Sequence, residues 1–409
     1  MKSTTKIQLS LMMFLEFFIW GGWFVTMGPY LANTLQANDT EIPLAYSSQC
    51  WGAIIAPFII GLIADRFFNA ERILGVLHLI GAALMYQLYT AEDFNSFLPY
   101  VMAYMIAYMP TLALVNSVSF NQMTDPAKQF SYIRVFGTIG WIVAGLAISY
   151  VFFWDSAEQV AEGALKNTFL MTGAASAFLG LFSFTLPKTP PKVGKGEKVK
   201  IGDIIGLDAL KLLKDRNFLV FFLASILICI PLAFYYQHAA QYLTEIGVAN
   251  PTGKMTIGQG SEVLFMLLLP FFFKRFGFKN TILVGMLAWA IRYVLFAYGN
   301  EGELAYMLII GIALHGICYD FFFVSGQIYT DSKAGERYKS AAQGLITLAT
   351  YGVGMLAGFW VAGQITNHYL VSENVHDWQS IWTAPAIFAA GVMVLFALLF
   401  KNEKIEYKS

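Results

Sequence analysis

Twelve long apolar segments leave this chain few choices of fold. They run approximately over 8–31, 42–64, 72–90, 96–120, 131–154, 167–187, 217–243, 256–274, 280–298, 304–330, 340–369 and 380–400. A helix needs about 20 mostly apolar residues to cross the hydrocarbon core of a bilayer, and these segments match that length. Backbone polar groups in lipid must be satisfied internally, so only helices and closed barrels span it. The short alternating strands of a barrel are missing from the pattern. The expected fold is therefore an all-α membrane protein with twelve transmembrane helices. Composition agrees: 57% of the 409 residues are hydrophobic and 13% charged, where soluble domains carry roughly 25% charge. A net charge of zero offers no basic surface for nucleic acid.

The positions of Lys and Arg predict the orientation. If both termini are cytoplasmic, 22 of the 26 basic residues fall in cytoplasmic segments, as the positive-inside rule requires. Lys166 and Lys254 fall outside, while Arg134 and Arg292 lie within spans. Lys2 and Lys6 before an apolar run imitate a signal peptide, but Glu16, Trp20 and Trp23 interrupt that run, so a first span is expected. Cys50, Cys229 and Cys318 all fall in apolar segments without metal-ligand spacing, and read as small buried hydrophobes.

The longest polar interval, 188–215, contains Pro-Pro and Gly-Lys-Gly and follows the sixth span. It divides the chain into an N-terminal six-helix half (1–187), a cytoplasmic linker (188–215), a C-terminal six-helix half (216–400) and a short cytoplasmic tail (401–409). Between spans two and three stands Gly61-Leu-Ile-Ala-Asp65-Arg66. It resembles the Gly-x-x-x-Asp-Arg core of the major facilitator superfamily's loop signature. Six plus six helices agree with that resemblance.

An ionisable residue at membrane depth is costly and by default marks function. Asp320 lies in the middle of the apolar stretch 304–330, and Glu16, Arg134 and Glu262 are similarly placed. In span one, Glu16, Trp20 and Trp23 share a helical face, which suits either a helix interface or an aromatic cavity wall. Arg134, Thr138 and Trp141 share a face of span five. Arg134 offers a bidentate fork to a carboxylate or to ligand oxygens, or snorkels to the interface. In span four, Thr111 reads as interhelical glue and Asn116 as a polar cavity group, with Pro110 as a kink. Gln237 and Gln241 share a face of span seven and suit a sugar or a base edge, with His238 between them. Gln259 and Glu262 lie one turn apart in span eight. In span ten, Tyr319 follows His315 by one turn and immediately precedes Asp320.

These residues together resemble the nucleoside:proton symporter family of the major facilitator superfamily, along most of the chain. The resemblance rests on Trp20-Gly-Gly-Trp23, Ala107-Tyr-Met-Pro-Thr-Leu-Ala-Leu-Val-Asn116, Arg134-Val-Phe-Gly-Thr-Ile-Gly140, Gln259-Gly-Ser-Glu262, Tyr319-Asp320-Phe-Phe and Ser340-Ala-Ala-Gln343-Gly. It implies proton-coupled nucleoside uptake by alternating access around a central site between the halves. In that site Trp20, Trp23, Asn116, Arg134, Thr138, Trp141, Gln237, Gln241, Gln259, Glu262, Tyr319 and Asp320 bind substrate. Glu262, Asp320 and Arg134 couple the proton, and neither acid is preferred. The expected setting is the bacterial inner membrane, with a monomer in lipid, nucleoside and protons as partners, and no cofactor, metal or catalysis. The chain departs from the family pattern at Trp141, Tyr319, the span-seven amides, and Glu16, where a neutral amide is usual. Rival readings are a sugar or oligosaccharide symporter, an efflux carrier, and a non-transporting membrane sensor.

Overall fold

The computed structural model describes residues 2–59, 68–124, 126–191, 207–372 and 375–403. The Gly61–Arg66 loop and most of the predicted linker lie outside the described residues. The described residues are almost entirely helical, with one two-stranded antiparallel ribbon among them, β1 (Leu370–Ser372) and β2 (Val375–His376). Among the described residues, eight helices are long and apolar enough to cross a membrane. Large apolar side chains such as Leu267, Phe271, Trp360 and Leu398 are exposed on the helices, a surface suited to lipid rather than water.

The chain forms two compact units, Met1–Lys200 with Ala249–Thr256, and Ile201–Val248 with Ile257–Ser409. The first contains α1 (Ser3–Gly21), α2 (Met27–Asn33), α3 (Ile42–Ile59), α4 (Ala70–Thr90), α5 (Phe94–Asn121), α6 (Pro126–Leu146), α7 (Ala157–Ala161) and α8 (Asn167–Ser183). Here α1 packs on α6, and α4 on α5 and α8. Small residues permit these contacts, because packing in a bilayer depends on close approach rather than on apolar burial. A Cβ on Gly140 would stand 2.1 Å from the Phe14 carbonyl oxygen. Where α4 meets α8, a Cβ on Gly75 would be 2.9 Å from the Gly180 carbonyl oxygen.

Capping follows the local sequence. Asp93 and Ser96 form a reciprocal capping box at the start of α5, which satisfies N–H groups that a helix start leaves unpaired. The Ser96 backbone N–H holds the Asp93 carboxyl below its usual range. After α6 the chain takes a π-helical turn over Ala147–Val151. Ser149 in that turn donates to Asp155, accepts from the Gly253 N–H at 2.7 Å, and Asp155 accepts from the Thr252 N–H at 2.9 Å.

The second unit contains α9 (Arg216–Glu245), most of α10 (Pro251–Tyr298), α11 (Ala305–Ala313), α12 (His315–Tyr319), α13 (Ser325–Thr347), α14 (Met355–His368) and α15 (Trp378–Leu399). The 48 residues of α10 are two helices meeting at Gly277, whose φ of 74° only glycine adopts without strain. Two further π-helical turns, Asp320–Val324 and Leu348–Gly354, interrupt the apolar helices. Such turns re-aim side chains and often mark functional positions.

Beside the start of α9, Asp215 accepts from the Phe218 N–H at 2.9 Å and from the Lys333 ammonium at 3.0 Å. Lys333 also meets Glu403 at 2.5 Å. Asn217 exchanges hydrogen bonds with the backbone of Lys401, both at 3.0 Å. This network ties the first helix of the unit to the end of its last.

Candidate functional site

In the first unit, the Trp20-Gly-Gly-Trp23 motif builds an aromatic face. The helix stops at Gly21, and a Cβ there would stand 2.7 Å from Trp141 Cγ. The glycine therefore lets the Trp141 indole approach the backbone of α1. Trp20 meets Trp141 and Tyr108 edge-on, with ring centroids 5.6 and 5.8 Å apart. Such T-shaped pairs direct positive ring edges at negative faces. Arg134 lies 4.1 Å over the Phe17 ring, a cation–π contact that leaves the fork of donors available. Trp20, Asn116, Arg134, Thr138 and Trp141 are half-buried. Trp23 is fully buried among Phe24, Tyr104 and Phe169.

Behind this face lies a buried polar chain. Glu16 Oε2 stands 2.8 Å from His78 Nε2, and its Oε1 stands 2.6 Å from the Thr111 hydroxyl. Tyr108 donates to the Glu16 backbone carbonyl at 2.7 Å. The Ser176 hydroxyl donates its single hydrogen to the His78 carbonyl at 2.8 Å, so it accepts from His78 Nδ1 at 3.1 Å. With Nδ1 carrying a hydrogen, one proton is left to share between Nε2 and Glu16. The pair is then imidazolium–carboxylate or imidazole–carboxylic acid, and each form satisfies the contact. Sequence reading singled out Glu16 but overlooked His78. The signal was present, because a histidine in the apolar helix α4 meets the same test that selected Glu16.

In the second unit, α9 places Gln237, His238 and Gln241 together in the interior. Gln237 Nε2 lies 3.0 Å from His238 Nε2, and Gln241 Oε1 lies 3.2 Å from His238 Nδ1. The amide oxygen of Gln241 accepts from Nδ1, so Nε2 is left to accept from the Gln237 amide. Thr366 lies 2.9 Å from the same Nε2. The two amides that share a helical face thus meet at the imidazole between them.

Asp320 is fully buried at the start of a π-helical turn, and neither carboxyl oxygen has a hydrogen-bond partner. Tyr319, half-buried beside Asp320, shares a 2.5 Å hydrogen bond with Tyr351. Gln259 is half-buried one turn before Glu262. Gln343 donates to the Gln327 carbonyl at 2.8 Å and to Asp331 at 2.6 Å. An ionised carboxylate without a partner, deep in an apolar helix, carries a desolvation cost of several kcal/mol. Its charge is tolerated only when a proton or a bound partner neutralises it.

Two residues outside the predicted set belong to this cluster. Arg292, fully buried on α10, reaches His315 Nδ1 with Nη1 at 3.1 Å, and His315 Nε2 stands 3.9 Å from Glu262 Oε2. Sequence reading placed Arg292 within a span and His315 one turn before Tyr319, but gave neither a partner. Among the described residues, no cluster of three or more His, Cys, Asp or Glu side chains has metal-binding geometry. The three cysteines are buried and form no disulfide.

Similarity to known proteins bears on this arrangement. A family model described as "Nucleoside H+ symporter" matches residues 2–405. The putative nucleoside transporter YegT of Escherichia coli (strain K12) is 44% identical over 414 residues, covering 99% of this chain and 96% of that one. The xanthosine permease of the same organism is 33% identical over 422 residues, with 98% of each chain covered. The crystal structure of nucleoside transporter NupG superposes with a TM-score of 0.84 at 30% identity, over 98% of this chain and 100% of that one.

Proposed function

This chain belongs to the nucleoside H+ symporter family, and on that footing we propose that it carries nucleosides into the cell together with protons, by alternating access. It is a transporter, not an enzyme. We place it in the bacterial inner membrane as a monomer, with twelve spans in two six-helix halves (1–187 and 216–400) and both termini cytoplasmic. The run of basic residues on one side supports that orientation.

The observation that carries the coupling reading is Asp320, buried in an apolar helix with both oxygens unpartnered. A carboxyl in that setting cannot hold a charge cheaply. In this reading Asp320 or Glu262 takes a proton, and its loss on the far side resets the carrier. A ligand shifts such a balance only by differing in affinity between the two states. Substrate ligands in this reading are the polar and aromatic groups already placed. Arg134, Thr138, Asn116, Trp20, Trp23 and Trp141 come from the first unit, and Gln259, Glu262, Tyr319, Asp320, Gln237 and Gln241 from the second.

The test is uptake of labelled adenosine, uridine, xanthosine and simple sugars into proteoliposomes, with and without an imposed pH gradient. Accumulation of at least one nucleoside above equilibrium, only with an inward proton gradient, is the expected result. Gradient-driven accumulation of a sugar but of no nucleoside would overturn it.

A further inference from the structure

We infer that Arg292 and His315 are a positioning pair that aims an imidazole N–H at Glu262, and so sets the pH range over which this carboxylate trades its proton. The inference rests on the reading of Glu262 as a coupling acid.

Donor chemistry fixes the histidine tautomer. A guanidinium only donates, so at 3.1 Å from Arg292 Nη1 the His315 Nδ1 accepts and carries no hydrogen. The ring hydrogen therefore sits on Nε2, the nitrogen 3.9 Å from Glu262 Oε2. That distance is too long for a hydrogen bond and short enough for a small rotation of the glutamate to form one. A doubly protonated ring would set an N–H against the guanidinium donor, so His315 works as an oriented neutral donor and not as a proton carrier.

The backbone holds the two elements in register. Gly316 donates its N–H to Ser261 Oγ at 2.9 Å, and a Cβ on Gly316 would stand 2.5 Å from the Ser261 carbonyl. A Cβ on Gly258 would be 3.2 Å from His315 Cβ. Only glycines allow α12 to press so closely on the turn that carries Glu262. His315 also stacks on Tyr235, with centroids 5.2 Å apart.

Arg292 supplies the field. Its guanidinium lies 3.5 Å over the Tyr235 ring, with Phe296 and Trp289 at 5.5 and 5.6 Å. Its Nε and Nη2 have no hydrogen-bond partner. Aromatic faces stabilise the cation without cancelling its charge. The other titratable groups facing this cluster are Tyr235, Tyr236, Tyr293, Cys318, Tyr319, Asp320 and Tyr351. Among these groups, Arg292 is the permanent cation. Together the N–H and the cation favour the ionised form of Glu262.

The experiment compares the pH profile of gradient-driven nucleoside uptake for Arg292→Met, His315→Phe and His315→Gln with that of the parent carrier. Only protein that elutes as folded monodisperse carrier is reconstituted. Met keeps the length of Arg without the charge, Phe keeps a ring without nitrogens, and Gln restores an N–H donor. Arg292→Met and His315→Phe are expected to move the profile toward alkaline pH by about one unit, a tenfold change in proton affinity. His315→Gln is expected to return it toward the parent. Should Arg292→Met fail to fold, the Phe and Gln variants at His315 decide the matter alone. Parent-like profiles in His315→Phe, alongside loss of uphill uptake in Glu262→Gln, would overturn the pair while leaving the coupling acid in place. Uphill uptake retained in Glu262→Gln would instead overturn the reading on which the pair rests.

Discussion

Glu16 Oε2 and His78 Nε2 meet at 2.8 Å in the interior of the first unit, with at most 1% of either side chain exposed. The contact joins α1 to α4, and Thr111 on α5 and Ser176 on α8 complete it. Replacing Glu16 by Ala leaves His78 Nε2 without its partner, and breaking a buried pair this way costs about 3–5 kcal/mol. Glu16→Gln keeps both contacts, since the amide oxygen accepts from Thr111 and the NH2 donates to a neutral His78 ring. We expect its stability within about 1 kcal/mol of the parent. Thermal unfolding in detergent distinguishes the two, and equal destabilisation by both would mean that the charge, not the geometry, holds the helices.

Asp320→Asn removes a titratable oxygen from a site where the carboxyl has no partner. Gradient-driven accumulation is expected to vanish, while exchange of labelled for unlabelled nucleoside continues at equal pH. Normal accumulation would take Asp320 out of the coupling step and leave Glu262 to it.

Close approach at Gly140 makes a sharp steric prediction. A Cβ would meet the Phe14 carbonyl at 2.1 Å, and backbone cannot move aside as a side-chain tip does. Gly140→Val is expected to separate α1 from α6 and to abolish monodisperse expression. Gly391→Ala, on α15 with nothing within 4 Å of the added Cβ, is expected to be tolerated. Size-exclusion profiles of the two variants check the contrast.

Asp215 gives a pH dependence outside the membrane-spanning segments. Burial raises its pKa, but the Phe218 N–H and the Lys333 ammonium outweigh burial and hold it below the usual range. A depressed carboxyl stabilises the fold above its unfolded value near 3.9 and loses that contribution as pH falls through the folded value. Parent protein is therefore expected to lose stability below about pH 4 more steeply than Asp215→Asn. Melting curves from pH 7 to pH 3 measure the difference. The variant keeps an N-cap oxygen, so at pH 7 its deficit is expected to be about 1 kcal/mol or less.

Legibility in the sequence divided along a physical line. Runs of apolar residues specify helices in a bilayer by themselves, because each span satisfies its own backbone and needs no distant partner. The cost of a lone charge in such a run is also local, so Asp320, Glu262, Glu16 and Arg134 were visible without coordinates. Family membership was likewise readable, from short motifs such as Arg134-Val-Phe-Gly-Thr-Ile-Gly140 and Trp20-Gly-Gly-Trp23.

Which groups answer those charges was not local. His78 meets Glu16 across 62 positions, and Arg292 meets His315 across 23. Helical periodicity orders residues around one axis but says nothing of which neighbouring helix faces them. The same limit applies to Gln237 and Gln241: their shared face was legible, whereas the tertiary contact of Thr366 with the imidazole between them was not. The chain alone thus determined where a charge would be expensive. Only packing decided how each expense is met, because hydrogen-bond partners in the interior are chosen by the register of helices pressed together at glycines.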